Sequence, residues 1–116
     1  MLPKLERLDC RENKIISLPL LPYLQELHCD ENRLTSMPKL LNLQELYCSE
    51  NELTSLPELP NLRVLDCSLN KLTSLPKLPR IQTLTCIDNV VPLSKLIAST
   101  FDNVNERRVF SFGLLP

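Results

Sequence analysis

Residues 43–60 read LQELYCSENELTSLPELP, and nearly the same string returns every 19 residues along the chain. The cysteines mark the step, at Cys10, Cys29, Cys48, Cys67 and Cys86. So do the asparagines Asn13, Asn32, Asn51, Asn70 and Asn89, and the apolar set Leu5, Leu24, Leu43, Leu62 and Ile81. The unit is LxxLxCxxNxLTSLPxLPx. Numbered from its first Leu, slots 1, 4, 6, 11, 14 and 17 are apolar and slot 9 is Asn. Self-similarity at a fixed short period is the mark of a repeat architecture, in which each unit buries its apolar face only against its neighbours.

The spacing of slots 4 and 6 has period two and predicts a short strand with both residues turned inward. One strand per unit, each followed by a return segment, makes neighbouring strands parallel, and at about 4.8 Å spacing five coils span only about 20–25 Å. The return segment carries Pro in slot 15 (Pro19, Pro38, Pro57, Pro76) and slot 18 (Pro3, Pro22, Pro60, Pro79), which excludes a helix there. An extended, polyproline-like return is thin and keeps the coils nearly flat on one another. The expected fold is therefore a solenoid over residues 1–91, five 19-residue units with a parallel β-sheet on one face and extended returns on the other.

Composition agrees with a repeated job for proline. The 116 residues hold ten Pro and one Gly, so turns at positive φ are expected to be scarce. Thirteen Lys and Arg against 14 Asp and Glu give a net charge of −1, which argues against a nucleic-acid partner held by overall positive charge. Five Cys is an odd number with no apolar leader ahead of it, so a reducing, cytoplasmic compartment is expected rather than a secreted disulfide framework. No apolar run is long enough to span a bilayer, and no membrane partner is expected.

Asn13, Asn32, Asn51, Asn70 and Asn89 end their strands pointing inward, where an amide can satisfy backbone groups of adjacent turning coils. Five copies at one buried slot make a structural ladder, not a catalytic row. Cys10, Cys29, Cys48, Cys67 and Cys86 read the same way, as a column of small apolar thiols. The one His, His28, falls in slot 5 and points away from that column, so neither a metal site nor any cofactor is expected.

The string LQELYCSENELTSLPELP and its near copies resemble the leucine-rich repeat family over roughly 90 of the 116 residues. The double LP is similar to the short repeats of bacterial effector proteins from Gram-negative pathogens. A 19-residue unit with Cys in the strand also resembles repeats of giant amoebal viruses of the marseillevirus kind. The resemblance implies a binding scaffold for a host or other partner protein, in the cytoplasm or a host's cytoplasm. Some effectors of this type append a ubiquitin-ligase domain, for which nothing here is long enough. Two departures stand out: Leu41 replaces Pro in slot 18 of the second unit, and the fifth unit breaks at Pro92, where LTSLP becomes VPLS.

Residues 92–116 are not a repeat and read as a C-terminal cap. PLSKLIASTF spaces Leu93, Leu96, Ile97 and Phe101 at helical intervals, so a short amphipathic helix over the last coil is expected. The following NERRVFSF carries Arg107 and Arg108 beside apolar residues and reads as further cover or as a docking peptide. At the other end, Leu2, Leu5 and Leu8 and the edge of the first strand have no such cover, so the alternative function is a structural, self-associating component that uses this uncapped coil, as a weak homodimer through that edge.

Slots 3, 5, 7 and 8 face solvent, and across five units they hold nine acids and two Arg, a net of −7. The remaining residues therefore carry +6, from side chains such as Lys14, Arg33, Lys39, Arg63, Lys71, Lys77 and Arg80. A like-charged sheet repels itself, which is explained by solubility or by a partner. The candidate partner-binding residues are Arg7, Asp9, Glu26, His28, Asp30, Glu45, Tyr47, Val64, Asp66 and Leu69, graded from acidic to apolar along the solenoid. Glu26, His28 and Asp30 share a strand, but exposed carboxylates beside an exposed His lack the concave pocket that catalysis needs, and an enzyme is not expected.

Overall fold

The computed structural model describes residues 4–90 and 109–112. Six short strands, β1 (Arg7–Asp9), β2 (Glu26–His28), β3 (Glu45–Tyr47), β4 (Val64–Asp66), β5 (Thr83–Cys86) and β6 (Val109–Phe112), form one sheet in chain order. Every pair is parallel. Leu8, Leu27, Leu46, Leu65 and Leu84 stand in register, so each step from β1 to β5 is a step of 19 residues. The sheet and its returns make the expected solenoid.

The strands are short because only slots 3 to 5 alternate before the chain turns. Their middle residue is buried and its neighbours are half-covered, the pattern of a sheet with one dry face. The return brings slots 11, 14 and 17 back under that face. Leu34, Leu53 and Leu72, then Leu40, Leu59 and Leu78, are fully or almost fully buried beside Leu27, Leu46 and Leu65. Filling a leucine position with alanine in such a stack removes contacts in its own coil and in both neighbours, at about 2–5 kcal/mol.

Two turns per coil close the loop. In the first, the slot 1 N–H donates to the slot 17 carbonyl, as Leu24 to Leu21 at 3.1 Å and Leu43 to Leu40 at 3.0 Å. Slot 18 is thus the second residue of a β-turn, where the fixed φ of Pro22, Pro60 and Pro79 is already correct. Leu41 occupies the same place without that preset angle. In the second turn the sequence expectation fails. Glu12, Glu31, Glu50, Leu69 and Asp88 all have φ between 54° and 56°. Slot 8 therefore holds a left-handed residue in every coil without using glycine. Its N–H is one of the rungs that hold it: Glu12 N donates to Asp30 O and Glu31 N to Ser49 O, each at 3.0 Å. Cross-coil hydrogen bonding thus selects a backbone state that an isolated chain avoids.

The expected helix over PLSKLIASTF lies outside the described residues, as does Leu2. The tail does supply β6, a sixth parallel strand whose Val109, Phe110, Ser111 and Phe112 pair with Thr83, Leu84, Thr85 and Cys86. Among the described residues there is no helix at all, so what covers the last strand there is a strand.

Candidate strand-face site

The solvent face of the sheet is laid out in rows by the register. Slot 3 runs Arg7, Glu26, Glu45, Val64, Thr83, and slot 5 runs Asp9, His28, Tyr47, Asp66, Thr85. At its centre the rings of His28 and Tyr47 are stacked, with centroids 4.5 Å apart and planes 13° from parallel. Both rings are pinned from slot 3. The Tyr47 hydroxyl donates to Glu45 Oε1 at 2.7 Å, and His28 Nε2 lies 2.8 Å from Glu26 Oε2, as a donor because a carboxylate only accepts. The same Glu26 oxygen takes Arg7 Nε at 2.6 Å.

These contacts set the charge states. The Arg7 guanidinium, and then His28, hold the Glu26 carboxyl below its ordinary range. Arg11, 2.8 Å from Asp9 through Nη2, does the same for Asp9. Tyr47 moves the other way: its hydrogen bond to Glu45, its partial burial and the surrounding carboxylates push it up to about 12, so it stays a neutral donor. Glu31 is raised by the charges of Glu50 and Glu12, its neighbours in the slot 8 row.

The remaining candidates sit around the stack. Asp30 is half-buried and turned along the sheet, where its Oδ1 accepts from the Ser49 N–H at 2.7 Å and the Ser49 hydroxyl at 2.8 Å. Asp66 accepts from the Ser68 N–H at 3.1 Å. Val64 is half-buried, and Leu69 is 45% exposed on its left-handed backbone. Slot 7 is not uniformly a solvent slot: Ser68 is buried, and its hydroxyl oxygen accepts from Ile87 N at 3.1 Å. Glu26, His28 and Asp30 share β2 and its exit but do not converge, since His28 engages Glu26 while Asp30 serves Ser49.

Beneath this face lie the two ladders. Asn51 accepts from Leu34 N at 3.0 Å through Oδ1, and its Nδ2 donates to the carbonyls of Cys29, Cys48 and Ser49. Asn32, Asn70 and Asn89 are buried and likewise reach the slot 11 N–H and slot 6 carbonyl of the coil before them. Asn13 is exposed and bonds only the carbonyls of Cys10 and Arg11 in its own coil. All five cysteines are free thiols, buried except for the half-buried Cys10. Burial pushes Cys29 and Cys48 well above the ordinary thiol range. Among the described residues no group of three or more His, Cys, Asp or Glu side chains converges as a metal site would.

Two features escaped the sequence reading. Asn42 and Asn61, in slot 19, donate to the slot 18 position of the preceding coil at Pro22 O and Leu41 O, 2.7 Å each, and steady the proline turn. Ile16, Leu20 and Tyr23 are 66%, 62% and 50% exposed in the first coil. The signal was available: the later copies of slot 12 are Thr35, Thr54 and Thr73, and those of slot 16 are Lys39, Glu58 and Lys77.

Residues 41–80 match a family model described as Leucine Rich repeats (2 copies). The match supports a leucine-rich repeat protein, because the coils on either side of that segment repeat the same unit in the same register. Domains of this family are commonly protein-interaction scaffolds without an enzymatic role. No curated protein matches the chain.

Proposed function

We propose that this chain is a non-enzymatic scaffold that binds a partner protein on the strand face, through Arg7, Asp9, Glu26, His28, Asp30, Glu45, Tyr47, Val64, Asp66 and Leu69. The observation that carries the reading is the His28–Tyr47 stack. Two flat rings stand side by side on the sheet, each tied down by a glutamate, so little side-chain entropy is left to lose on binding. Rigid aromatics within a polar rim are the usual anchors of protein interfaces. The partner segment is basic and apolar: Lys or Arg against the carboxylates of Glu26, Glu45 and Asp66, and an aliphatic residue toward Val64 and Leu69. The resemblance to effector and giant-virus repeats supports a host protein as that partner, and five free thiols suit a reducing cytoplasm.

Selection of random displayed peptides on the immobilised chain tests this. Peptides enriched on the wild type should be rich in Lys or Arg, weaken steeply with salt, and lose at least about tenfold in affinity to Tyr47→Ala, a typical anchor loss. Enrichment that ignores both salt and Tyr47→Ala would place binding elsewhere.

A further inference from the structure

The two sides of the His28–Tyr47 stack differ. Stacking leaves each ring one open face: that of His28 looks toward β1, where the slot 5 residue is Asp9, and that of Tyr47 looks toward β4, where it is Asp66. On the β1 side guanidinium groups are already in place. Arg11, in slot 7, holds both Asp9 oxygens through Nε at 2.9 Å and Nη2 at 2.8 Å, and Arg7 holds Glu26 at 2.6 Å. On the β4 side slot 7 is Ser68, which gives Asp66 only its N–H, at 3.1 Å. Glu45 accepts from Tyr47 at Oε1. Glu45 Oε2 and Asp66 Oδ2 have no hydrogen-bond partner among the described residues, and neither carboxylate is in an ion pair there. After the hydrogen bond to Glu45 and partial burial, the charges of Glu45, Glu26 and Asp66 together raise the Tyr47 hydroxyl, so Asp66 lies close enough to act on this ring.

The β4 side is also lower. Where β2 and β3 carry Glu and an aromatic ring in slots 3 and 5, β4 and β5 carry the short side chains Val64, Asp66, Thr83 and Thr85. The open face of Tyr47 therefore stands as a wall beside a shallow floor, with Asp66 at its foot. The strands are about 4.8 Å apart, so the next layer of the stack would fall directly above Asp66. A flat cation completes that layer: its face meets the electron-rich ring, and its N–H edge meets the carboxylates. A guanidinium has this shape, whereas an ammonium is a compact, strongly hydrated point that cannot lie on the ring and donate sideways at once.

We propose that this ledge seats one arginine side chain of the partner, its guanidinium laid on the open face of Tyr47 and its N–H groups donated to Asp66 and Glu45. The proposal rests on the strand-face reading and narrows its partner from a basic segment to an arginine-bearing one. Arg11 on Asp9 is the same pairing made within the chain on the opposite side of the stack. Leu69 and Ile87, 45% and 38% exposed where β4 and β5 end, give the residue beside that arginine an aliphatic neighbour.

NMR titration of the full chain with the capped peptide Gly-Leu-Arg-Leu-Gly, and with its twin carrying Lys for Arg, tests the seat. The chain holds its own reference, because Tyr23 is the second of its two tyrosines and already has Lys4 Nζ 5.3 Å over its ring. The Arg peptide should move the Tyr47 ring signals and leave those of Tyr23 in place, and it should bind at least about threefold tighter than the Lys peptide. Asp66→Asn keeps the acceptor for Ser68 N and removes the charge, and it should weaken the Arg peptide about fivefold. Glu58→Gln makes the same change in net charge on the return side and should leave binding as it was. Tyr47→Leu should bring the two peptides to equal affinity. Circular dichroism confirms that each variant is folded. Equal binding of both peptides to the wild type, or indifference to Asp66→Asn, would overturn the arginine seat while leaving the strand face a binding surface. Tyr47 signals unmoved by either peptide would overturn the seat as well, and the displayed-peptide selection then decides the strand-face reading by itself.

Discussion

Replacing Asn51 by alanine isolates what the asparagine ladder contributes. Asn51 is the only described acceptor for the buried Leu34 N–H, at 3.0 Å. The carbonyls it serves are better provided: Cys29 O keeps Asn32 Nδ2 at 3.0 Å, and Cys48 O keeps Asn70 Nδ2 at 2.9 Å. The loss therefore concentrates on one stranded N–H, at about 1–3 kcal/mol, with a smaller contribution from the weakened carbonyl bonds, for a total of about 2–4 kcal/mol. The chain supplies its own control. Asn13 is the same residue in the same slot but exposed, bonded only within its own coil, so Asn13→Ala should cost less than about 1 kcal/mol. Cys48→Ala, which removes one buried sulfur and no hydrogen-bond partner, should cost about 1 kcal/mol. Asn51→Asp should be worse than alanine, because it aims a carboxylate at three carbonyl oxygens. Equilibrium urea unfolding with a shared m-value reads all four. Equal losses for Asn13→Ala and Asn51→Ala would refute the reasoning, since they would show that reaching the preceding coil is worth nothing.

Leu69→Asn should stabilise the protein by about 1 kcal/mol, since Asn tolerates the left-handed backbone at φ 56° and Leu does not, and thermal unfolding reads the gain. Glu31→Gln should raise stability at neutral pH. The folded pKa of Glu31 is raised by Glu50 and Glu12, so the native state binds that proton more tightly than the unfolded chain, and the wild type recovers as pH falls. The advantage of Glu31→Gln should thus fade by about pH 4, and a constant advantage across that range would remove repulsion as its cause. A thiol reagent added to native protein should modify Cys10 first and the other four only on unfolding, because Cys10 alone is half-open and burial keeps Cys29 and Cys48 protonated. Rapid modification of more than one thiol would contradict the buried column.

The 19-residue step was enough to place the strands, their parallel order and the inward column, because slots 4, 6 and 11 repeat by residue type. Slot 8 was misread for a physical reason. Positive φ was tied to glycine, but the state at Glu12 or Leu69 is imposed by a rung to the next coil, a long-range contact that composition does not encode. The slot 18 prolines were assigned to an extended return, and the Leu24 N to Leu21 O bond makes them turn residues instead. On the strand face, slot parity put His28 and Tyr47 side by side, but not the two glutamates that lock them or Asp30 turning aside to Ser49. The tail strand was hidden because VFSF carries no repeat signature, and its pairing with β5 depends on the chain crossing back to the sheet.

The asparagine ladder has a direction. Asn32 completes the first coil, Asn51 the second, Asn70 the third and Asn89 the fourth; each amide reaches back and none reaches forward. On a ribosome the chain emerges in that same order. A coil can wrap as soon as its leucines are out, but its slot 11 N–H stays open until the asparagine of the following unit arrives, 17 residues later. Synthesis therefore seals the solenoid from behind, one coil at a time, and a pause after any unit leaves a single unlatched coil at the growing end while everything before it is already locked.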